Sequence, residues 1–280
     1  MTSRALRVPP RAVLAGVVFL AIIVAAVVGP IVWSIDPTHT RLLARLQPPV
    51  FAGGDWQHPL GTDPLGRDIL SRLLHGARAS LLISVTATLV GGSIGTLSGL
   101  LAGFHSGKPI DHLITFLVDV QLALPFILLA IAAALVFGSS LPVLIVLGAL
   151  ATWPAYTRVA RGVAISLRER EFVLAARALG GHDVHLMLRH LLPNLAGPIA
   201  VLATLSLGNL ILFESALGFL GIGIKPPAPS WGTMIGEGRE YLSRAWWVAT
   251  VPGMALVLVT VSVGVLGDTF RDRLDVRTEP

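Results

Sequence analysis

Two carboxylates lie inside long apolar runs of this sequence. Asp119 belongs to the segment LVDVQLALPFILLAI, and Glu214 to an apolar run over residues 196–222. Ionisable side chains are costly inside a bilayer, so both are candidates for a polar pathway, with pairing to a basic residue or a helix end as the alternative. Pro125, in the same segment as Asp119, is a candidate kink that would shape a cavity. The sequence therefore predicts Asp119, Pro125 and Glu214 as pathway or gating residues.

Other patterns argue against enzymatic chemistry. The chain has no cysteine, which excludes thiolate nucleophiles and thiolate metal sites. No carboxylate or thiolate at a recognisable metal-ligand spacing accompanies His182, His185 and His190. The one Gly-Lys pair, residues 107–108, precedes Pro109 instead of the Ser or Thr of a phosphate-binding loop. Residues 91–95 have the spacing Gly-x-Ser-x-Gly, but they lie inside an apolar run and not at the strand-to-helix turn that presents a nucleophilic serine. We expect no catalytic residue, cofactor or metal in this chain.

The composition indicates a membrane protein. Hydrophobic residues make up 54% of the 280 residues and charged residues only 13%, against about 25% charged residues in soluble domains. Apolar runs of about 20 residues are long enough to cross the hydrocarbon core as helices. Six runs of this kind predict an all-α fold with six transmembrane helices. They cover residues 12–33, 80–104, 112–137, 141–165, 196–222 and 247–268.

The first run is predicted to be an uncleaved helix. A signal peptide is the alternative, but its hydrophobic region would be about 7 to 15 residues long and a small-residue cleavage site would follow. The run over residues 12–33 is longer, and no convincing cleavage site follows Trp33. The even number of spans then places both termini on one side of the membrane.

The basic residues favour both termini inside. With the N-terminus inside, thirteen basic residues lie on the inner side and eight on the outer side, as the positive-inside rule requires. The inner set is Arg4, Arg7, Arg11, Lys108, Arg158, Arg161, Arg168, Arg170, Arg177, Arg189, Arg271, Arg273 and Arg277; the outer set is Arg41, Arg45, Arg67, Arg72, Arg78, Lys225, Arg239 and Arg244.

Two outer segments look more ordered than simple connections. Residues 58–79 predict an interfacial amphipathic helix, with leucine and isoleucine on one face and Arg67, Asp68 and Arg72 nearer the other. In the second segment, a proline-rich stretch precedes a group of tryptophans, which predicts a capped mouth with aromatic anchors at the headgroup level. These anchors are Trp231, Trp246 and Trp247.

An inner segment, residues 166–194, predicts a rigid helix-turn-helix that we call the inner knob. Ser166 and Glu169 have the spacing of a capping box, and a short helix follows. Gly180 allows a turn, Asp183 can cap a second short helix, and Pro193 suits the start of another. A run of alanines keeps the first helix slim, so the inner knob is predicted to fit a groove on a partner.

Within the inner knob, LAARALGGHDVHLMLRHLLP resembles the coupling loop of permeases of ATP-binding-cassette importers. The family pattern is Glu-Ala-Ala, three residues, Gly, nine residues, Ile, one residue and Leu-Pro. Leu174 replaces the Glu of the pattern and His190 its Ile; the peptide and nickel branch commonly carries His there. The resemblance implies a set of ATPase-coupling residues, with Glu171 as a substitute for the missing Glu. The set is Glu171, Ala175, Ala176, Arg177, Gly180, His190, Leu192 and Pro193.

The resemblance extends over residues 12–278. HPLGTDPLGRDILSRLLHGAR, LVDVQLALPFILLAI, ESALGFLGIGIKPPAPSWGTMI and LGDTFRDRLDVR all look like the C-type permease of dipeptide and oligopeptide systems. This family implies a type I importer fold and peptide as substrate, with a related nickel or other small-cargo importer as the alternative. It implies a sister B-type permease, two cytoplasmic ATP-binding subunits or one fused ATPase, and an extracytoplasmic binding protein. ATP and Mg would bind those ATPases, and no nucleic acid is involved.

A stripe of small residues marks the second span. Gly91, Gly95, Gly99 and Gly103 recur at four-residue spacing, which permits close helix packing, with a hinge as the alternative. A secondary transporter is the alternative in another class; it would more often show internal repeats between its halves, and none is convincing here. A membrane-embedded enzyme would need convergent catalytic residues.

Together these observations predict a multi-pass protein of the cell inner membrane, with the bilayer as its surroundings. The predicted segments are a cytoplasmic N-terminus 1–11, a first transmembrane helix 12–34, an extracytoplasmic loop with an amphipathic helix 35–79, a permease core 80–270 and a cytoplasmic tail 271–280. The core contains five helices, the inner knob 166–194 and an extracytoplasmic loop 223–246.

Overall fold

The computed structural model describes residues 9–275, with side chains to residue 273, and this part of the chain is all-helical. Arg4, Arg7 and Arg277 of the orientation count lie outside the described residues, as do the outer parts of the two predicted terminal segments. The helices are α1 (Pro10–Val32), α2 (Ile69–Phe104), α3 (Pro109–Ala123), α4 (Phe126–Phe137), α5 (Leu141–Arg168), α6 (Glu171–Ala178), α7 (Asp183–His185), α8 (Leu192–Phe219), α9 (Trp231–Gly238) and α10 (Trp247–Asp275).

Five helical stretches in the described part are long and apolar enough to cross a membrane, and a bent pair makes a sixth. The bent pair is α3 and α4, which meet at 87° across the break at Leu124 and Pro125. Pro125 has no N–H to continue a helix, and it caps α4 instead. The predicted all-helical membrane protein is confirmed, and the run predicted as one span with a kink at Pro125 is two helices with a sharp corner.

The structure also moves a predicted boundary on the outer side. Residues 69–79 are not a separate amphipathic helix, because they form the first three turns of the continuous 36-residue helix α2. Asp68 begins α2 by accepting a hydrogen bond from the backbone N–H of Ser71. Such a side-chain cap satisfies one of the free donors of the first turn. Arg67 and Arg72, predicted on a polar face, are buried.

Among the described helices, α2 and α5 pack against each other most extensively, and glycine makes the close approach possible. An added Cβ atom at Gly95 would lie 2.5 Å from the carbonyl oxygen of Trp153 and 2.6 Å from Cβ of Tyr156. Gly91, Gly99 and Gly103 face α5 in the same way. Small residues let two backbones come close in a membrane, where lipid offers no hydrophobic drive for association. The glycine stripe is therefore a packing seam, as the favoured interpretation predicted.

The helices pack around three apolar cores. One joins α1, α2, α9 and α10 at the predicted outer end, and it includes Trp231 and Trp247. Another joins α2, α5 and the inner knob at the predicted inner end, and the third joins α2, α4, α5 and α8 between them. Both tryptophans are buried within the chain, so their rings are not free to contact headgroups as anchors; Trp246 alone of the three is exposed.

Candidate functional site

The inner knob is built on a buried apolar base. Val173 of α6 and Leu186 and Leu191 of the following π-helical turn are fully buried. They pack against Leu100 and Phe104 at the end of α2 and against alanines of α5. The inner knob is therefore packed directly against both helices of the glycine seam.

The exposed surface of the inner knob carries a patch of apolar side chains. Leu179, which caps the C-terminus of α6, is 90% exposed, and four neighbouring hydrophobic side chains are about half exposed. These are Phe172, Leu174, Val184 and Leu188. A charged Glu in place of Leu174 would interrupt this surface, so the departure from the family pattern extends the apolar patch. Large exposed apolar surfaces mark interaction sites.

The predicted coupling residues surround this patch. Glu171 begins α6, Gly180 makes the turn with φ of +88°, and Pro193 lies in the first turn of α8. Most of the set is exposed, while three members are partly buried against the base; these are Ala176, His190 and Leu192. The guanidinium of Arg177 lies 5.4 Å from the ring centre of Phe104.

Two predicted helix caps of the inner knob are wrong. Ser166 lies within α5, which continues to Arg168, so no capping box forms with Glu169. The cap of α7 is His182, whose Nδ1 accepts the backbone N–H of His185, and Asp183 is the first helical residue. The rings of His182 and His185 lie edge to face at 5.7 Å between centroids. No metal-ligand group occurs within residues 9–275.

The stretch between α1 and α2, residues 33–68, is called the outer segment. A buried ionic network connects it to α9, and the sequence did not predict this network. Glu237 of α9 accepts hydrogen bonds from Arg67 and Arg72, both at 2.8 Å. Arg67 Nε also bonds Asp63 at 2.5 Å. The two arginine side chains are 7% and 2% exposed, so the carboxylates are their only compensation in the described structure. The partners lie 165 and 170 residues apart in sequence, and no local pattern pairs them.

A second set of polar contacts, centred on Asp68, fixes the end of the outer segment next to α2. Besides capping α2, Asp68 accepts hydrogen bonds from Trp33 Nε1 and pairs with His58 Nδ1, both at 2.9 Å. Further out, the hydroxyl and backbone N–H of Thr38 donate to Asp36, which lowers the pKa of that carboxyl. The outer segment is thus a folded cover instead of a free loop.

The three predicted pathway residues have different surroundings. Asp119 of α3 is 57% exposed and forms an ion pair with Arg158 of α5 at 2.9 Å. Pro125 is exposed at the α3–α4 corner. Glu214 of α8 is fully enclosed by the chain itself and accepts a hydrogen bond from Ser80 of α2 at 2.7 Å. The structure does not bring Glu214 to the exposed face that carries Asp119.

A second ion pair on α3 was also missed. Asp111 and Arg161 form a bidentate pair with distances of 2.6 and 2.9 Å, and Asp111 is buried. Arg158 and Arg161 had been counted only as inner basic residues, although both belong to α5. The signal available in the sequence was one acid just before the third apolar run, one acid within it, and two arginines within the fourth run.

Comparison with known proteins gives consistent matches. Residues 95–280 match the family described as "Binding-protein-dependent transport system inner membrane component". Residues 2–49 match the "N-terminal TM domain of oligopeptide transport permease C".

Two curated relatives match nearly the whole chain. A "Di/tripeptide transport system permease protein" of Pseudomonas aeruginosa is 42% identical over 95% of this chain and 88% of its own length. A "Dipeptide transport system permease protein" of Alkalihalophilus pseudofirmus is 39% identical over 92% of this chain and 83% of its own.

The fold also matches a solved structure. A chain of the MetNI methionine ABC transporter in an inward-facing conformation superposes with a TM-score of 0.57 and 21% identity, over 72% of this chain and 95% of that one. At this identity the match shows the fold alone, which is that of an importer permease.

Proposed function

This chain belongs to the family of binding-protein-dependent inner membrane components, in its oligopeptide permease C branch, and from that premise we propose that it forms half of the translocation pathway of an importer of dipeptides or oligopeptides. It is a non-catalytic, multi-pass component of the inner membrane, and the family implies ATPase and binding-protein partners. The peptide substrate is supported by the two relatives, whose names state dipeptide or tripeptide transport.

The proposed partners divide the work. A sister B-type permease supplies the other half of the pathway, and a binding protein delivers the peptide from the outer side. Two ATP-binding subunits, or one fused ATPase, bind ATP and Mg and contact the inner knob. In this arrangement the knob end is cytoplasmic and the outer segment extracytoplasmic, in agreement with the predicted orientation.

The observation that carries the coupling proposal is the inner knob, an exposed apolar patch on a base packed against α2 and α5. We assign ATPase coupling to Glu171, Ala175, Ala176, Arg177, Gly180, His190, Leu192 and Pro193. Closure of the ATPases displaces the patch, and the buried base transfers that displacement to the two helices of the glycine seam. The pathway then opens alternately to either side.

Two matched substitutions on the inner knob test this coupling. Leu179→Glu places a charge at the most exposed position of the patch, and we expect uptake and peptide-stimulated ATP hydrolysis to fall by more than about tenfold, because an unpaired charge would be buried at the interface. Leu174→Glu introduces the same residue on the same short helix but restores the family pattern. We expect it to keep at least half of wild-type uptake. Equal losses in both variants would contradict the assigned docking geometry.

Import itself is tested by reconstitution. The chain, its sister permease and the ATPases are placed in proteoliposomes with binding protein and a labelled dipeptide. We expect uptake that requires ATP, the binding protein and this chain together. Uptake that persists with a hydrolysis-deficient ATPase would contradict the proposal. Uptake of nickel without uptake of peptide would show that nickel, and not peptide, is the substrate.

Of the three predicted pathway residues, we propose that Asp119 and Pro125 serve the pathway. Both are exposed at the corner where α3 turns into α4. For Glu214, the enclosed hydrogen bond to Ser80 supports a different role, a cross-link that holds α8 to α2. Such buried polar links are costly to break because a donor is left unpaired.

A further inference from the structure

Helix α3 is held to α5 largely by polar side chains that occur at three levels. At the lowest level, Asp111 and Arg161 form the bidentate pair. At the next, Asp119 receives a single hydrogen bond from Arg158 at 2.9 Å. Near the α3–α4 corner, Gln121 bonds the indole N–H of Trp153. Helices in a bilayer rarely use such groups where packing alone suffices.

The first two pairs differ in the number of their bonds and in their exposure. The side chain of Asp111 is 3% exposed, and it also accepts the backbone N–H of Gly107. In contrast, Asp119 and Arg158 are 57% and 59% exposed, and one hydrogen bond joins them. Asp111 and Arg161 thus form a fixed attachment, while Asp119 and Arg158 keep most of their bonding capacity open.

An exposed ion pair on membrane helices must contact water or another polar surface. Charged side chains in spanning segments face a water-filled cavity or another polar group, because lipid cannot solvate them. Exposed apolar residues, Phe116 and Val120, flank Asp119 on α3. The face is therefore mixed, which suits a path for a small molecule with both charged and apolar parts.

We propose that Arg158 and Asp119 contact the peptide in transit, Arg158 binding its α-carboxylate and Asp119 its α-ammonium group. This inference rests on the proposed import of peptides and adds the recognition of their charged ends. A free dipeptide is a zwitterion, so it can replace each member of the ion pair as the partner of the other without leaving a charge unpaired. Charge-assisted hydrogen bonds of this kind are the strong ones. After the peptide is released, Asp119 and Arg158 form their ion pair again.

The first experiment measures exposure in the assembled complex. Because the chain has no cysteine, Asp119→Cys and Arg158→Cys each introduce a single thiol into it. We expect a charged, membrane-impermeant thiosulfonate to label both, and peptide-loaded binding protein with ATP to slow the labelling at least threefold. Val17→Cys, exposed on the apolar helix α1, is the control that should stay unlabelled. Labelling of the two positions no faster than this control overturns the proposal.

The second experiment separates the two ends of the peptide. For peptides that the binding protein still binds, uptake by each variant is divided by wild-type uptake, which removes the contribution of the binding protein. We expect Arg158→Gln to lower this ratio about tenfold for a free dipeptide but less than about twofold for its C-amidated form, the effect of losing one charged hydrogen bond. Asp119→Asn should lower the same ratio for the free dipeptide but leave it nearly unchanged for the N-acetylated form.

Asp111→Asn is the matched control, since it breaks an ion pair on the same two helices whose carboxylate is buried. We expect it to reduce all three peptides by one common factor. If Arg158→Gln and Asp119→Asn also act equally on all three, the pair is structural and the proposal fails while peptide import stands. If the wild-type complex imports no peptide at all, the proposed function fails first and this inference with it.

Discussion

The glycine seam allows a sharp test of how α2 and α5 pack. An Ala at position 95 would place Cβ 2.5 Å from a backbone oxygen of α5 and 2.6 Å from Cβ of Tyr156. Ordinary contacts need about 3.5 Å, so the two helices would have to separate by about 1 Å. Overpacking of this kind costs about 1 to 3 kcal/mol, and the higher helix propensity of Ala returns about 0.5 to 1 kcal/mol. Gly95→Ala is therefore expected to destabilise the protein by about 1 to 2 kcal/mol.

The matched control is Gly162→Ala in α5, where an added Cβ meets nothing within 4 Å. At this position only the higher helix propensity of Ala contributes, and we expect it to stabilise the protein by about 0.5 to 1 kcal/mol. At about 2 to 4 °C per kcal/mol for a chain of this size, the thermal midpoints of the two variants should differ by about 3 to 12 °C. Thermal unfolding of the purified protein, followed by size-exclusion chromatography, measures this difference. Equal midpoints would refute the idea that the seam is tightly packed.

Three further substitutions test other parts of the structure. Glu237→Gln should lower the thermal midpoint by several degrees, because two buried arginines lose a shared charge worth about 3 kcal/mol, whereas exposed Glu240→Gln should not change it. Glu214→Ala should cost about 1 to 3 kcal/mol in unfolding experiments by leaving the Ser80 hydroxyl unpaired; Glu214→Gln, which keeps an acceptor, should stay close to wild type, and equal losses would exclude the hydrogen bond as the cause. Gly180→Ala should reduce ATP-driven uptake by straining the positive-φ turn by about 1 kcal/mol, and Gly180→Asn, which tolerates this conformation, should restore most of it; unchanged uptake in the Ala variant would show that the turn geometry does not matter.

The sequence was sufficient for the elements that depend on local properties. The apolar runs located the membrane helices, because burying about 20 residues in lipid is a property of the run itself. The glycine spacing indicated the α2 seam for a similar reason, and Gly180 and Pro193 marked a turn and a helix start of the inner knob. These features follow from the backbone conformations that glycine and proline favour or forbid.

Features that depend on distant partners could not be predicted. Arg67 and Arg72 looked like the polar face of a surface helix, because nothing near them in sequence shows that Glu237 will cover their charges. The corner after α3 was expected as a kink at Pro125, but its 87° angle depends on how α4 packs against α5. Trp231 was placed at the headgroups since tryptophan prefers that level; its N–H instead bonds the carbonyl of Leu73 on α2.

The unbroken course of α2 has a mechanical consequence. With 36 residues, it is about 54 Å long and spans well beyond the hydrocarbon thickness of about 30 Å. Its lower end lies in the core of the inner knob, and its upper end is held by Trp231 and the arginine network. No proline interrupts it. We therefore expect helix α2 to move as a rigid body, so that under the proposed coupling a displacement at the inner knob would reach the opposite end of the helix without a flexible joint between them.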